Sequence, residues 1–577
     1  MRASLVDKIE MQNSLFAELS RMFGREVPLY DKSLLVNSVC NRAVCNLVSE
    51  VHRGFSISDA QIEKTSGERH GAIRIGRPDE YRWVARFFAS FDMHPHNFYD
   101  MTSVGAKSQP VIATAFRSMV HPEHRVFTSL LQTDYFDPET KSRIEALLAT
   151  RQVFSERAKE LIEKSEREGG LSRADADALV REGTERIFKW TGEARDHALY
   201  THLCDAGFKI AADIACFRAH HLNHLTPNTF CMDLYTSAMK FCLGEIDAAG
   251  FESRAERALR RVERTCDADW VRLHFKHLTR AEIASYRVQK PAAEFVTRLV
   301  GGLRERLSRE DLALSKLNHS GFKDSTEGPA ADTPVLLRQD AYKALTEAVR
   351  FTNPDGSTLD TVHTARFGEI EQRFYATTPK GREMYDRCLA ATEGDPGCTP
   401  AAAKKDPAAY EAAYAKHFAP FPKTLPELLA AGLVYGRFEA TNAGRGAAGT
   451  IDTTDLMELA RRGLVSYEGL RYEDFLPVSA AGIFASNLSQ YGTKSTAATK
   501  PTYTKAQLEA IMGKAIVDAD GVYRGLQADS MLHAYAELGL LDRLAAGERE
   551  RLEREASACP SEARTKFAER SVLAARA

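Results

Sequence analysis

The sequence predicts an α+β protein, a β-core whose strands are separated by long helical excursions. Three observations predict it. Short β-rich segments lie near 66–136, 222–235 and 333–378. The stretches between them, 139–221 and 245–315, are dominated by charged, helix-favouring sequence such as RAKELIEKSEREGG and ESRAERALRRVERT. The chain has 577 residues, beyond the size at which one core usually keeps growing, so a composite domain with helical additions is expected. We place the principal domain at 1–490, with a helical insertion at 243–315, and a helical C-terminal tail at 491–577 packed on the core.

The elements follow in order. Residues 1–60 carry apolar residues at helical spacing. SGERHGAIRIG (66–76) reads as a short strand between turn residues, and 80–92 as a helix. DMHPHNFYD (92–100), with a proline between His94 and His96, reads as a surface loop. SQPVIATAFRSM (108–119) and HRVFTSLLQTDYF (124–136) read as a strand pair turning at VHPEH. The Ala/Pro/Gly-rich run 390–410 reads as an exposed loop. Helices carry the chain on to 473–488 and through the tail.

Composition narrows the function classes. Hydrophobic residues make up 44% and charged residues 27%, the balance of an ordinary globular protein. A formal net charge of −2 sets up no whole-protein field for nucleic acid or an anionic membrane, so neither is expected as a partner. The ten cysteines form no CxxC pair and are expected to be reduced, mostly buried thiols. No run of about 18 apolar residues suggests a membrane span. The N-terminal stretch is a poor signal peptide, so a cytoplasmic location is expected.

Of the seventeen histidines, few suggest chemistry. RLHFKHL puts His274 and His277 on one helix face, with little reason to read them as ligands. In FRAHHLNHLTPNT, His220 and His224 are four apart, the spacing of a helical metal clip, but HExxH is absent. The Thr226-Pro227 pair biases the backbone toward extended conformation, which puts His224 on a strand or at its mouth. Period-two alternation in ERHGAIRIG sets His70, Ala72 and Arg74 on one face, as a solvated face or a working one. In TVHTARFGEIEQR it sets Phe367, Glu369 and Glu371 on one face and Gly368, Ile370 and Gln372 on the other. One carboxylate and two imidazoles on short strands can form a facial triad suited to non-heme Fe(II) and oxygen. A cation would also explain an inward-facing carboxylate.

At FGEIEQR the sequence resembles the C-terminal ligand strand of 4-hydroxyphenylpyruvate dioxygenase and hydroxymandelate synthase, in the vicinal-oxygen-chelate superfamily. It resembles more closely the 2-oxoadipate dioxygenase/decarboxylase family, also called D-2-hydroxyglutarate synthase. RHGAIRIG, TAFRSM, RVFTSLL, HHLNHLTPN, PVLLRQDAYKAL, HTARFGEIEQR and YEDFLPVSAAGIFASNL occur in that family's order. The resemblance implies a vicinal-oxygen-chelate-like curved sheet or partial barrel around a metal site, surrounded by long helical insertions. It implies Fe(II) held by His70, His224 and Glu369, with Arg74 as the substrate-recognition arginine. Val478 and Ser479 fall where the family's loop closes over the bound acid. Arg338, Gln339 and Gln372 lie in matching motifs without an assigned role. The implied reaction converts 2-oxoadipate and O2 to D-2-hydroxyglutarate and CO2, in lysine breakdown. The insertion at 243–315 departs from the family. Two other readings stay open: a glyoxalase-like isomerase or lyase using Zn2+ or Mn2+, and a catalytically silent binding protein working through the charged insertion.

Overall fold

The computed structural model describes residues 4–103, 108–317, 321–323, 325–342, 345–366, 368–476, 495–499 and 501–559. It is mixed α+β, and its sheets are open rather than closed into a barrel. Two long N-terminal helices, α1 (Lys8–Glu26) and α2 (Pro28–Val51), meet at Val27. Asp7 caps α1 by accepting from the Ile9 and Glu10 amides, satisfying two N–H groups that lack an intrahelical partner. Apolar residues of α1 lie against the sheet, where the Phe16 ring stacks on His124 at 4.4 Å.

The central sheet is built from a strand–helix–three-strand run: β1 (Arg69–Ile75), α3 (Pro78–Ala89), β2 (His94–Asp100), β3 (Val111–Arg117) and β4 (His124–Leu131). A fifth strand, β5 (His224–Pro227), returns some ninety residues later. The spatial order is β2-β3-β4-β1-β5. Only β1 and β4 pair in parallel, and α3 supplies the crossover that parallel pairing needs. Every residue of β3 and β4, and all of β1 beyond Arg69, is buried, so helices cover both faces. On the far edge of β1, β5 runs antiparallel with Ala72 opposite His224 and His70 opposite Thr226.

A second, smaller ladder continues this edge. β6 (Leu337–Ala341) is followed by the hairpin β7 (Leu345–Thr352) and β8 (Thr358–Arg366), then by β9 (Glu369–Arg373). β9 pairs antiparallel with β6, placing Glu371 opposite Gln339. It is tied to the end of β5 by a parallel bridge between Asn228 and Glu371, in which the Thr229 amide donates to the Glu371 carbonyl at 2.8 Å. Three segments distant in sequence thereby converge at one end of β1.

Several local expectations are corrected. The single strand expected through 361–373 is two strands, β8 and β9, interrupted before Glu369; Phe367 lies outside the described residues. The expected loop at 92–100 is strand β2, because Pro95 is followed by a register shift between His96 and Tyr99 where ladder pairing relaxes. Residues 390–410 are mostly helical: Pro400–Lys405 and Pro407–His417 each begin with proline at the first turn, behind capping Thr399 and Asp406. The helix carrying His274 ends there, so His277 shares no face with it. The strands Gly436–Ala440 and Val465–Gly469 pair antiparallel within a stretch expected to be helical.

Within the 243–315 stretch, α5 (Ala248–Thr265), which follows α4 (Met232–Cys242), presents Phe251, Ala255, Ala258, Leu259 and Val262 to the main core. That apolar stripe at helical spacing joins the segment to the central hydrophobic cluster. All ten cysteines are free, eight of them buried. Among the described residues no helix is long and apolar enough to cross a membrane.

Candidate metal centre

His70 and His224 face each other because of strand register. His224 sits opposite Ala72, so it is the diagonal same-face neighbour of His70, a spacing that aromatic side chains bridge. Their Nε2 atoms lie 3.2 Å apart. Glu369, the first residue of β9, brings its carboxylate beside both, with Oε2 3.9 Å from His70 Nε2 and Oε1 3.5 Å from His224 Nδ1. One donor atom from each of the three lies within 4.8 Å of the others, and all three residues are buried.

The surroundings of Glu369 test whether these residues fit a cation. Thr226 Oγ1 donates to Oε2 at 2.9 Å, and the Gln339 amide donates to the same oxygen. Oε1 is buried and receives no hydrogen bond among the described residues. Burial pushes the carboxyl well above its ordinary range, only partly opposed by the Thr226 bond. A buried carboxylate oxygen without a donor costs several kcal/mol unless a cation compensates it. Burial also lowers His70, against the pull of Glu371, and lowers His224 further, reinforced by His70 and Arg74. Two neutral imidazoles beside a carboxylate that needs positive charge are the donor set a divalent metal takes.

His70 is oriented from behind. Its Nδ1 lies 2.9 Å from Glu371 Oε2, which leaves Nε2 to face the centre. Burial would raise the Glu371 carboxyl, but Arg373, His70 and Arg125 outweigh it and hold it well below the usual range. Arg373 donates from Nε at 2.8 Å and Nη2 at 3.0 Å, and Arg125 from Nη1 at 3.0 Å. Arg125 also reaches Glu473 at 2.6 Å, and Arg373 Nη1 donates to the Tyr472 and Asp474 carbonyls. The Phe475 ring packs edge-on against His70 at 4.7 Å.

Arg74 lies two positions beyond Ala72 on the same face. It is buried and donates from Nη1 to Asp213 Oδ2 at 2.9 Å. Asp213 is held from its other oxygen by His363 Nε2, at 2.9 Å. Burial would raise Asp213, but His363 and then Arg74 outweigh it and bring the carboxyl to about 2. Trp190 stacks on His363 with the ring planes 24° apart.

The structure thus brings His70, His224 and Glu369 together and places Arg74 on the same strand face. Val478 and Ser479 lie outside the described residues. Sequence reasoning left Gln339, Arg338 and Gln372 without roles. Gln339 fixes Glu369, Arg338 pairs with Asp233 at 2.9 Å, and Gln372 ties the chain after β5 by accepting from the Met232 amide and donating to the Phe230 carbonyl. It missed Glu371 as the partner of His70, for which the two acids two residues apart on a strand were the available signal. It missed Asp213 entirely; nothing in its helical surroundings marks it.

A family model for 2-oxoadipate dioxygenase/decarboxylase matches residues 15–244 and 272–487. A Pseudomonas putida protein named 2-oxoadipate dioxygenase/decarboxylase is 36% identical over 542 residues, 90% of this chain and 96% of that protein. The Escherichia coli protein of the same name is 29% identical over 530 residues, 90% and 97% of the two chains. Among solved structures, the Pseudomonas putida hydroxyglutarate synthase in complex with 2-oxoadipate superposes with a TM-score of 0.64 at 32% identity, covering 93% of this chain and 99% of that one. An uncharacterized Shigella flexneri protein also superposes with a TM-score of 0.64, at 26% identity, covering 92% and 100%. With buried His70, His224 and Glu369 converging on the strands that carry the matching motifs, the chain belongs to the 2-oxoadipate dioxygenase/decarboxylase family.

Proposed function

We propose that this protein is an Fe(II)-dependent dioxygenase and decarboxylase that converts 2-oxoadipate and O2 to D-2-hydroxyglutarate and CO2. The observation that carries the reading is the convergence of His70, His224 and Glu369, with one buried Glu369 oxygen that receives no hydrogen bond among the described residues, in a chain 36% identical to a protein of that name. Those three residues would hold the iron. Bound Fe(II) supplies the activation of O2 and a point of attachment for the 2-oxo acid. The atoms balance without a further reductant: one oxygen atom enters the new carboxylate and the other the C2 hydroxyl, while the original carboxylate leaves as CO2.

The side chains do the rest. Arg74 pairs with the distal carboxylate of the substrate by charge-assisted hydrogen bonds, its guanidinium anchored on Asp213. Asp213, pinned by His363, fixes the guanidinium plane and so selects which carbon is presented. Glu371 holds the His70 tautomer, and Thr226 with Gln339 turns Oε1 of Glu369 inward. Phe475 keeps water from the His70 ring. Val478 and Ser479 are proposed to close over the acid.

The open five-stranded sheet, with both histidines on one face, supports a vicinal-oxygen-chelate-like scaffold. The same proposal takes 1–490 as the catalytic domain and 491–577 as a tail packed on it. Ten free thiols support a reducing compartment such as the cytoplasm.

The test is anaerobic loading with Fe(II), addition of 2-oxoadipate, then admission of air. The reading expects O2 uptake and CO2 release in equal amounts and D-2-hydroxyglutarate as product. Turnover of 2-oxoadipate without O2 uptake, or no turnover by the iron-loaded protein, overturns it.

A further inference from the structure

A cavity of about 390 Å³ lies away from the metal centre, walled by α5, by the helix Met232–Cys242, by residues 325–332 and by the helix Pro407–His417. That size accommodates a small metabolite. One wall comes from residues 254–265, which lie between the two segments, 15–244 and 272–487, that match the family.

The charges lining this cavity do not cancel. The Asp233 carboxylate is taken up by Arg338 and Arg261, Glu411 by Arg261, and Asp332 by Lys423, while Asp340 is offset by the attraction of Lys240 in the same lining. Two guanidiniums remain. Half-buried Arg254 and exposed Arg264 line the same cavity, one face of α5, and neither makes a hydrogen bond or ion pair among the described residues. Burial and then the neighbouring Arg257 work against the charge on Arg254, and the attraction of Glu411 opposes them only in part. Arg338 is buried, and its Nε has no acceptor. Three guanidiniums with spare donors around one cavity are a demand for an anion, and guanidinium forks match carboxylate and phosphate oxygens. Tyr410 and Tyr414, with ring centroids 5.6 Å apart, form an aromatic wall beside them.

We propose that this cavity binds a small organic dianion, a dicarboxylate or a phosphate ester, through Arg254, Arg264 and Arg338. The inference is independent of the reaction at the metal, because none of these residues touches His70, His224, Glu369 or Arg74.

The test is isothermal titration of the iron-loaded protein and of its R74Q variant under nitrogen, without 2-oxoadipate, so that binding lost in R74Q is assigned to the catalytic site and binding kept in both proteins to this cavity. The probes are glutarate, inorganic phosphate and adenosine monophosphate. The proposal expects at least one to bind with a dissociation constant below about 1 mM, weakened at least tenfold in R254Q/R264Q. Glutarate alone would identify a carboxylate site; phosphate or the nucleotide, a phosphate site. Neither substituted arginine contacts the metal centre, so the double variant should retain turnover, which shows that it folds. Absence of binding by all three probes up to about 10 mM, or equal affinity in the double variant, overturns the proposal.

Discussion

Glu371 and His70, separated by 301 positions in the chain, are joined by a 2.9 Å contact between Oε2 and Nδ1 at the base of the candidate metal centre. The contact makes the two acids of β9 unequal. Among the described residues, Glu369 lacks a hydrogen-bond donor at one oxygen and pairs with no arginine, whereas Glu371 is gripped by two. Carboxylates behind a metal-binding imidazole fix its tautomer, and their loss typically costs about 10- to 100-fold in metal affinity or activity. Glu371→Gln is therefore expected to weaken Fe(II) binding by about that factor, measured by metal titration of the stripped protein. Glu369→Ala should abolish metal retention altogether, read by elemental analysis. Equal metal content in wild type and E369A would remove Glu369 from the ligand set.

Arg74 and Asp213 form a second buried pair, the one proposed to meet the distal carboxylate of the substrate. Lysine at position 74 keeps a positive charge but loses the planar fork. Arg74→Lys should lower kcat/KM for 2-oxoadipate by about a hundredfold, near 2.7 kcal/mol of transition-state stabilisation, with iron content unchanged. Wild-type kcat/KM in this variant would refute the assigned contact. Asp213→Asn, which removes the charge that holds the guanidinium in place, should raise KM more than it lowers kcat.

How much of this was readable beforehand follows from the range of each interaction. The shared face of His70, Ala72 and Arg74 needed only strand alternation within seven residues, and His224 on a strand needed only the proline three positions on. Family motifs then joined the separate ligands. Asp213 could not be read in that way: it lies 139 positions from Arg74 and 150 from His363, on a helix whose pattern shows only burial. The division of labour between Glu369 and Glu371 was equally hidden, because it is set by Arg125 and Arg373 reaching Glu371 and by Gln339 reaching Glu369. The helices after Pro400 and Pro407 show the opposite failure: proline was read as a breaker where it occupies the first turn.

Gly368 precedes Glu369, and its role is steric. A Cβ at this position would run into the Tyr342 ring, which is buried and hydrogen-bonded through its hydroxyl to Ser33 at 3.2 Å. The ring has no free end to swing away, so Gly368→Ala must displace either Tyr342 or β9. Overpacking of this kind costs about 1–3 kcal/mol. The variant should melt at lower temperature and bind iron less tightly, since the displaced strand begins with Glu369. The double variant G368A/Y342F keeps the ring and should not recover; G368A/Y342A opens the space and should recover part of the iron affinity. An unshifted melting temperature in G368A would show that the close approach is unimportant.

Asp340, beside Gln339 on β6, supplies a pH dependence of opposite sign to most acids. It is fully buried, and burial raises its carboxyl from 3.8 to about 6, against the lowering influence of Lys323 and Lys240. Between about pH 4 and pH 6 the folded protein therefore retains a proton there that the unfolded chain has released. Stability falls with rising pH wherever the folded state binds more protons, so Asp340 destabilises the fold increasingly across that window and by a constant amount above it. A shift of roughly two units corresponds to about 3 kcal/mol. Asparagine stays neutral, can still accept from the Ala341 amide, and can donate to the Thr236 and Thr326 hydroxyls that now lie 3.1 Å from the carboxylate. Asp340→Asn should thus melt above wild type at about pH 7.5, with the difference shrinking toward zero near pH 4. The check is thermal unfolding of both proteins across that range. A wild-type advantage at neutral pH would mean that the ionised carboxylate is stabilised by Lys323 and Lys240 more strongly than burial opposes it, reversing the sign argued here.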